Sequence, residues 1–184
     1  MSLVFDALRD PEPFVQAHLD VASPSTLLAL ASSAAVGVGL YGAAMHAFQD
    51  APAMISGGLG AAAAAGLAWT ATLPALYILG SLAGSRLSLR SLLLATLVTV
   101  SFAGLALLAS IPVLWFIELC APYTWVRALT NVVVFGGVGL SMADVHLRVM
   151  ERLEGLRLRH FGWLSLLAVL GAELFWVVGL ADLS

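Results

Sequence analysis

Glu173 is the residue of this sequence whose position most suggests chemistry. It lies about halfway along an apolar stretch, with about 15 Å of helix between it and Leu183. A carboxyl group at that depth in a bilayer is costly unless it is protonated or partnered. The same counting puts three hydroxyl side chains at a similar depth: Thr70, Thr72 and Ser101. Glu173 is therefore either a protonated donor to one of these hydroxyls or an ion or proton site along a pathway.

Other polar residues have simpler structural interpretations. Asn131 lies about one turn inside the outer end of a predicted helix, where an amide side chain is expected to hydrogen-bond across helices. Asp144 precedes Arg148 by one helical turn, which is the favourable order for an ion pair. Glu118 and Arg127 flank a short loop and are expected to pair there.

Several function classes find no support in the sequence. The four histidines and eleven acidic residues form no His-x-x-His or Glu-x-x-His spacing, so no metal site is predicted. Cys120 is the single cysteine, and no phosphate loop or Ser-His-Asp constellation is recognisable. The net charge of -3 offers no basic field for nucleic acid. We therefore expect a non-catalytic protein without a cofactor.

The composition predicts an all-α, polytopic transmembrane bundle. Hydrophobic residues make up 61% of the chain and charged residues 10%, whereas soluble domains average roughly 45–50% and 25%. The mean hydropathy is +1.00. A single globular core of this size cannot hide that much apolar surface, so the lipid bilayer is the expected partner. Five apolar segments are long enough to span it: Ser25–Phe48, Ala51–Gly84, Leu89–Ile117, Trp125–Met150 and Phe161–Leu183.

The second of these segments is too long for a single pass. As one helix it would measure about 51 Å, against a hydrocarbon core of about 30 Å. Its glycines at 57, 58 and 60 favour a short interfacial or re-entrant piece, followed by a spanning helix from about Gly60 to Gly84 that is kinked near Pro74. Two short passes, giving six helices in all, are the alternative.

The arginines favour five helices and set the orientation. With five spans, every arginine except Arg127 lies on one side of the membrane, and six spans separate them less completely. Positive residues favour the cytoplasm. The expected location is therefore a bacterial cytoplasmic membrane, with the N-terminus inside and the C-terminus outside.

Residues 1–24 are expected to form a cytoplasmic or interfacial segment ahead of the bundle of residues 25–184. Asp10 can cap a helix that has Pro11 at its first position. Phe14, Val15, His18 and Leu19 then share one face of this amphipathic helix. Such a helix can lie on the membrane surface or dock onto the arginine-rich loops of the chain itself.

Small residues at helical spacing indicate faces where helices approach closely. Three sets have this spacing: Gly80 with Gly84, Gly137 with Ser141, and Ala35 with Gly39 and Ala43. The first two sets are the predicted contacts within one chain or between chains. They favour a homo-oligomer or a subunit of a membrane complex.

Three stretches resemble a group of small bacterial membrane proteins, common in cyanobacteria, with the layout of the Yip-domain family. They are Leu73-Pro-Ala-Leu-Tyr-Ile-Leu-Gly-Ser-Leu-Ala-Gly-Ser-Arg-Leu-Ser88, Ile111-Pro-Val-Leu-Trp-Phe116 and Asn131-Val-Val-Val-Phe-Gly-Gly-Val-Gly139. The resemblance implies a cytoplasmic N-terminus and five membrane helices. It implies no settled activity, and Glu173 lies outside the matched region.

Two functions follow as hypotheses. The first is a small oligomeric channel or transporter with Glu173 and the threonines of the second segment near its pathway. The alternative is a membrane scaffold or accessory subunit, for which the resemblance implies Yip-like recruitment of a partner. The N-terminal helix and the arginine-rich loop would bind that partner.

Overall fold

Six helices make up nearly all of the chain that the computed structural model describes, residues 2–19, 22–82, 85 and 87–154. Two short helices come first and four long ones follow: α1 (Ser2–Arg9), α2 (Pro11–His18), α3 (Pro24–Met45), α4 (Ala51–Leu82), α5 (Leu89–Cys120) and α6 (Thr124–Glu154). The predicted fifth span, which contains Glu173, lies outside these residues, as does Gly84. The described part is all-α, as expected.

The four long helices are each long and apolar enough to cross a membrane. Helices α3, α5 and α6 begin and end close to the bounds expected from the apolar segments. Their starts follow local chemistry. Ser23 caps α3 by accepting a hydrogen bond from the Thr26 amide (3.2 Å), and Ser88 caps α5 by accepting one from the Ser91 amide (3.1 Å).

The expected break in the second segment was wrong. Helix α4 runs without interruption from Ala51 to Leu82, with Pro74 inside it, so it is neither a re-entrant piece nor two short passes. Asp50 caps its start, with its carboxylate 2.7 Å from the Ala53 amide nitrogen. The glycines near its beginning do not break the helix: Gly57 and Gly58 lie against α3, and Gly60 lies on the exposed face.

Helix α3 lies between α4 and α5, and α5 lies between α3 and α6. Glycines allow these close approaches. A Cβ atom on Gly42 would lie 2.6 Å from the Gly57 carbonyl oxygen, and one on Gly58 would lie 2.9 Å from the Gly39 carbonyl oxygen. In the described part of the chain, α4 and α6 have no close backbone approach. The order α4–α3–α5–α6 therefore leaves the two outer helices with broad exposed faces.

The N-terminal helices pack against one end of the bundle. Ala7 of α1 and Val15 of α2 are completely buried. They belong to one apolar cluster with residues of α3, α5 and α6: Leu30, Leu92, Leu94, Ala95, Val98, Val145, Val149 and Met150. Helix α2 begins at Pro11 as expected, but the Asp10 side chain makes no capping hydrogen bond. The apolar face predicted from Phe14 and Val15 is thus covered by the protein itself.

Candidate intramembrane polar site

Ser101 ties α5 to α3. It is almost fully buried, and its hydroxyl lies 2.8 Å from the Leu30 carbonyl oxygen, to which it donates. The Ser33 hydroxyl donates to Ser101 at 3.1 Å and also lies 2.9 Å from the same carbonyl oxygen. The hydrogen-bonding capacity of Ser101 is therefore used between two helices of the bundle.

Asn131 forms the cross-helix hydrogen bond expected for it. The Tyr41 hydroxyl of α3 donates to the Asn131 Oδ1 of α6 at 3.0 Å. Tyr41 is 1% exposed, and its ring meets that of Phe135 edge-on, with the centroids 5.4 Å apart. The Asn131 amide nitrogen, which carries two donor hydrogens, has no hydrogen-bond partner among the described residues.

Thr70 and Thr72 hydrogen-bond within their own helix. Thr70 donates to the Gly66 carbonyl oxygen at 2.8 Å, and Thr72 donates to the Trp69 carbonyl oxygen at 3.2 Å. Thr70 lies on the exposed face of α4, whereas Ser101 is buried between α3 and α5. The three hydroxyls predicted at a common depth are therefore not brought together into one site. Glu173 lies outside the described residues.

Within the described part of one chain, the closest helix contacts lie away from Gly80, Gly137 and Ser141, and contacts between chains stay a prediction. A Cβ atom on Gly80 would meet Ser85 at an ordinary 3.6 Å, and one on Gly137 would meet no described atom within 4 Å. Ser141 is exposed. Of the third set, Gly39 and Ala43 do face Gly58 of α4.

A second close helix crossing, between α3 and α5, was not predicted from the sequence. A Cβ atom on Gly37 would lie 2.5 Å from the Gly104 carbonyl oxygen, and one on Gly104 would lie 3.1 Å from the Ala34 backbone. Ser33 and Gly37 have the small-x-x-x-small spacing that could have signalled it. In a chain this rich in alanine and glycine, however, that spacing recurs at many positions and does not single out this crossing.

Both predicted ion pairs form, at opposite ends of the bundle. The Arg127 guanidinium makes two hydrogen bonds to the Glu118 carboxylate, one of them from Nε to Oε2 at 2.9 Å. The Arg148 Nε lies 3.0 Å from Asp144 Oδ2. Arg148 also lies 3.5 Å from Glu12 of α2, a contact of the kind expected if the N-terminal helix docks onto the chain's own arginines. This second contact connects the N-terminal helices to α6.

The described residues contain no group of three His, Cys, Asp or Glu side chains able to hold a metal ion. Comparison with known proteins adds no assignment, because no family model, curated protein or solved structure matches the chain.

Proposed function

We propose that this protein is a non-catalytic integral membrane protein that serves as a scaffold or accessory subunit of a larger membrane complex. The observation that carries this proposal is how the polar side chains are used. Ser101 joins α3 to α5, the Asn131 oxygen joins α6 to α3, and Thr70 and Thr72 bond to their own helix. Polar groups used in this way stabilise a bundle and leave few partners for a permeating ion.

The exposed face of α4 supports a role in binding other membrane helices. Large apolar residues on it are more than half exposed: Ile55, Leu59, Leu67 and Ile78. Gly60 and Gly66 lie among them, and an added Cβ on either would contact no atom of the described residues. In lipid, helices associate by close van der Waals packing, which small residues permit. The partner we propose is an apolar transmembrane helix of another protein.

The proposal includes five spans in a bacterial cytoplasmic membrane, with the N-terminus inside. The arginine distribution supports this orientation. It is also supported by the ion pair between Glu12 and Arg148, which joins the N-terminal helices to the end of α6 that precedes the arginine-rich segment. The Yip-like layout suggested by the sequence is part of the same proposal.

A homo-oligomeric channel or transporter is the second candidate. It is favoured by Glu173, an ionisable residue at the expected midplane of the last apolar segment, and by Thr70 on the exposed face of α4. In this case the pathway would run between protomers, because the buried Ser101 and Thr99 hydroxyls are hydrogen-bonded within each protomer.

Flux through purified protein in liposomes separates the two functions. A scaffold should leave vesicles tight to protons and potassium under imposed gradients, while an added ionophore gives full flux as the positive control. Flux that depends on the protein and changes in Glu173→Gln would reject the scaffold in favour of the channel.

Photo-crosslinking in the native membrane tests the partner surface. A photoreactive residue at exposed Leu67 should capture a different membrane protein, whereas one at buried Val98 should capture none. Crosslinks to copies of the same chain alone would favour the homo-oligomer.

A further inference from the structure

The outward face of α1 is the surface that carries a further inference. Ala7 of α1 is completely buried in the apolar cluster of the bundle, whereas Phe5, on the opposite side of this helix, is 63% exposed. Val4 and Leu8 lie beside Phe5 on the helix surface and are partly exposed. Helix α1 is therefore apolar on two sides, and the described residues cover only one of them.

The packing of α2 sets the height of both N-terminal helices along the bundle. Helix α2 contacts α6 through the ion pair of Glu12 with Arg148 and through the apolar cluster that includes Val145 and Val149. This part of α6 lies just beyond its uncharged stretch 128–143, which measures about 24 Å as a helix. A stretch of that length crosses most of a hydrocarbon core of about 30 Å. The N-terminal helices thus pack where the bundle leaves the hydrocarbon core.

Helix α1 lies next to a surface that is expected to face lipid. It contacts α3 and α5, and its Ala7 belongs to the same buried cluster as Leu30 in the second turn of α3. Leu28 lies two residues before Leu30 and is 68% exposed. The exposed apolar surface of α3 therefore reaches the level at which α1 packs, and Phe5 can extend it.

The charged residues of α1 fit a helix at the boundary between lipid and water. Arg9 lies one turn beyond Phe5, and in the described part of the chain its guanidinium makes only a long ion pair, 3.9 Å, with exposed Asp10. Asp6 lies on the side of the helix away from Leu8. A basic residue beside an apolar face is typical of helices that lie in the plane of the membrane surface.

We infer that α1 is an interfacial anchor whose partner is the bilayer itself. Phe5, with Val4 and Leu8, inserts into the boundary between the headgroups and the acyl chains of the adjacent leaflet, and Arg9 binds lipid phosphates. The interfacial role predicted for the helix that begins at Pro11 falls to α1, because the bundle covers the apolar face of that helix. The inference rests on the proposed membrane location and holds for a scaffold and for a channel alike.

Spin-label accessibility in lipid vesicles tests the position of Phe5. With Cys120 replaced, a nitroxide is attached to Phe5→Cys, Gln16→Cys or Leu67→Cys in the full chain, in vesicles of phosphatidylcholine and phosphatidylglycerol. Gln16 is the matched control on the exposed side of α2, and Leu67 of α4 reports the hydrocarbon core. Collisions with oxygen, relative to a water-soluble nickel complex, should be severalfold more frequent at position 5 than at position 16, and most frequent at position 67.

The same measurement separates the ways in which the inference could fail. A ratio at position 5 equal to that at position 16, with a lipid-like ratio at position 67, would overturn the anchor and leave the membrane location standing. Low accessibility to both reagents at position 5 would also overturn it, because protein and not lipid would then cover Phe5. A water-like ratio at position 67 would reject the membrane location on which the inference rests.

A charge substitution tests whether the inserted side chain holds α1 in place. The reporter is the buried variant Ala7→Cys, labelled with a maleimide in the same vesicles and without Cys120. Phe5→Glu should speed this labelling severalfold, because a carboxylate does not enter the acyl boundary. Gln16→Glu adds the same charge on α2 and should leave the rate unchanged. Equal rates in the two variants, whether raised or not, would reject the anchor. Should Phe5→Glu fail to assemble, Phe5→Ser takes its place.

Discussion

The backbones of Gly37 and Gly104 meet directly where α3 crosses α5. Because a Cβ atom on Gly37 would lie 2.5 Å from the Gly104 carbonyl oxygen, even an added methyl group must push the two helices apart. Gly37→Ala should lower the free energy of unfolding by about 1–3 kcal/mol, the usual cost of overpacking a tight contact. Denaturation in mixed detergent micelles gives the measurement.

Gly66→Ala is the matched control for this crossing. Gly66 lies inside α4, where an added Cβ meets no atom within 4 Å in the described part of the chain. The free energy of unfolding should rise by no more than about 1 kcal/mol in this variant, because glycine is unfavourable in a helix interior. Equal losses in the two variants would show that the crossing does not determine stability.

The Thr96 hydroxyl is buried without a hydrogen-bond partner in the described part of the chain. A buried hydroxyl that makes no hydrogen bond costs free energy, whereas a methyl group of the same shape does not. Thr96→Val should therefore raise the free energy of unfolding by about 1 kcal/mol. Thr99→Val is the control, because the Thr99 hydroxyl donates to the Ala95 carbonyl oxygen at 2.8 Å, and this variant should give no gain. Destabilisation by Thr96→Val would point to a polar partner for that hydroxyl.

The contact between Glu12 and Arg148 should hold the N-terminal helices in place in a salt-dependent manner. Both side chains are partly exposed, at 31% and 45%, so the pair should contribute less than about 1 kcal/mol. A cysteine at buried Val15, in a chain without Cys120, should react with a maleimide about twofold to fivefold faster after Glu12→Gln, which corresponds to about 0.5–1 kcal/mol.

Salt provides the internal control for this contact. High ionic strength screens exposed charges, so it should speed labelling of the parent chain and have little further effect on the Glu12→Gln variant. Equal salt sensitivity in the two proteins would mean that other charges hold α2 in place.

Much of this architecture could be predicted from the sequence, because membrane helices are specified by length and hydropathy. The ends of α3 and α5, the Ser23 cap and the ion pairs Asp144–Arg148 and Glu118–Arg127 each depend on residues close together in the chain. Local physical rules suffice for such features.

The features that escaped prediction depend on which faces of distant helices meet. From the sequence alone, Gly57 and Gly58 favour a break in the helix, whereas in the structure α3 packs against them. Ser101 looks from the sequence like a residue near an ion pathway, whereas in the structure it is hydrogen-bonded to Leu30 and Ser33. Gly37 and Gly137 have similar sequence surroundings, yet only the first lies against another backbone. Spacing along one helix cannot distinguish these cases, because it carries no information about the neighbouring helix.

The number of spans can be settled by labelling from each side of the membrane. Helix α6 ends at Glu154 on the side where α2 contacts it through Arg148, so a fifth span would carry Ser184 to the opposite side. Single cysteines at positions 157 and 184, in a chain without Cys120, should therefore react with an impermeant maleimide from opposite sides. Position 157 should be protected in intact cells and react in inverted vesicles, whereas position 184 should behave in the reverse way. A cysteine at position 9 in α1 should react from the same side as one at position 157, because the N-terminal helices pack at that end of the bundle. Labelling of positions 157 and 184 from the same side would rule out the fifth span.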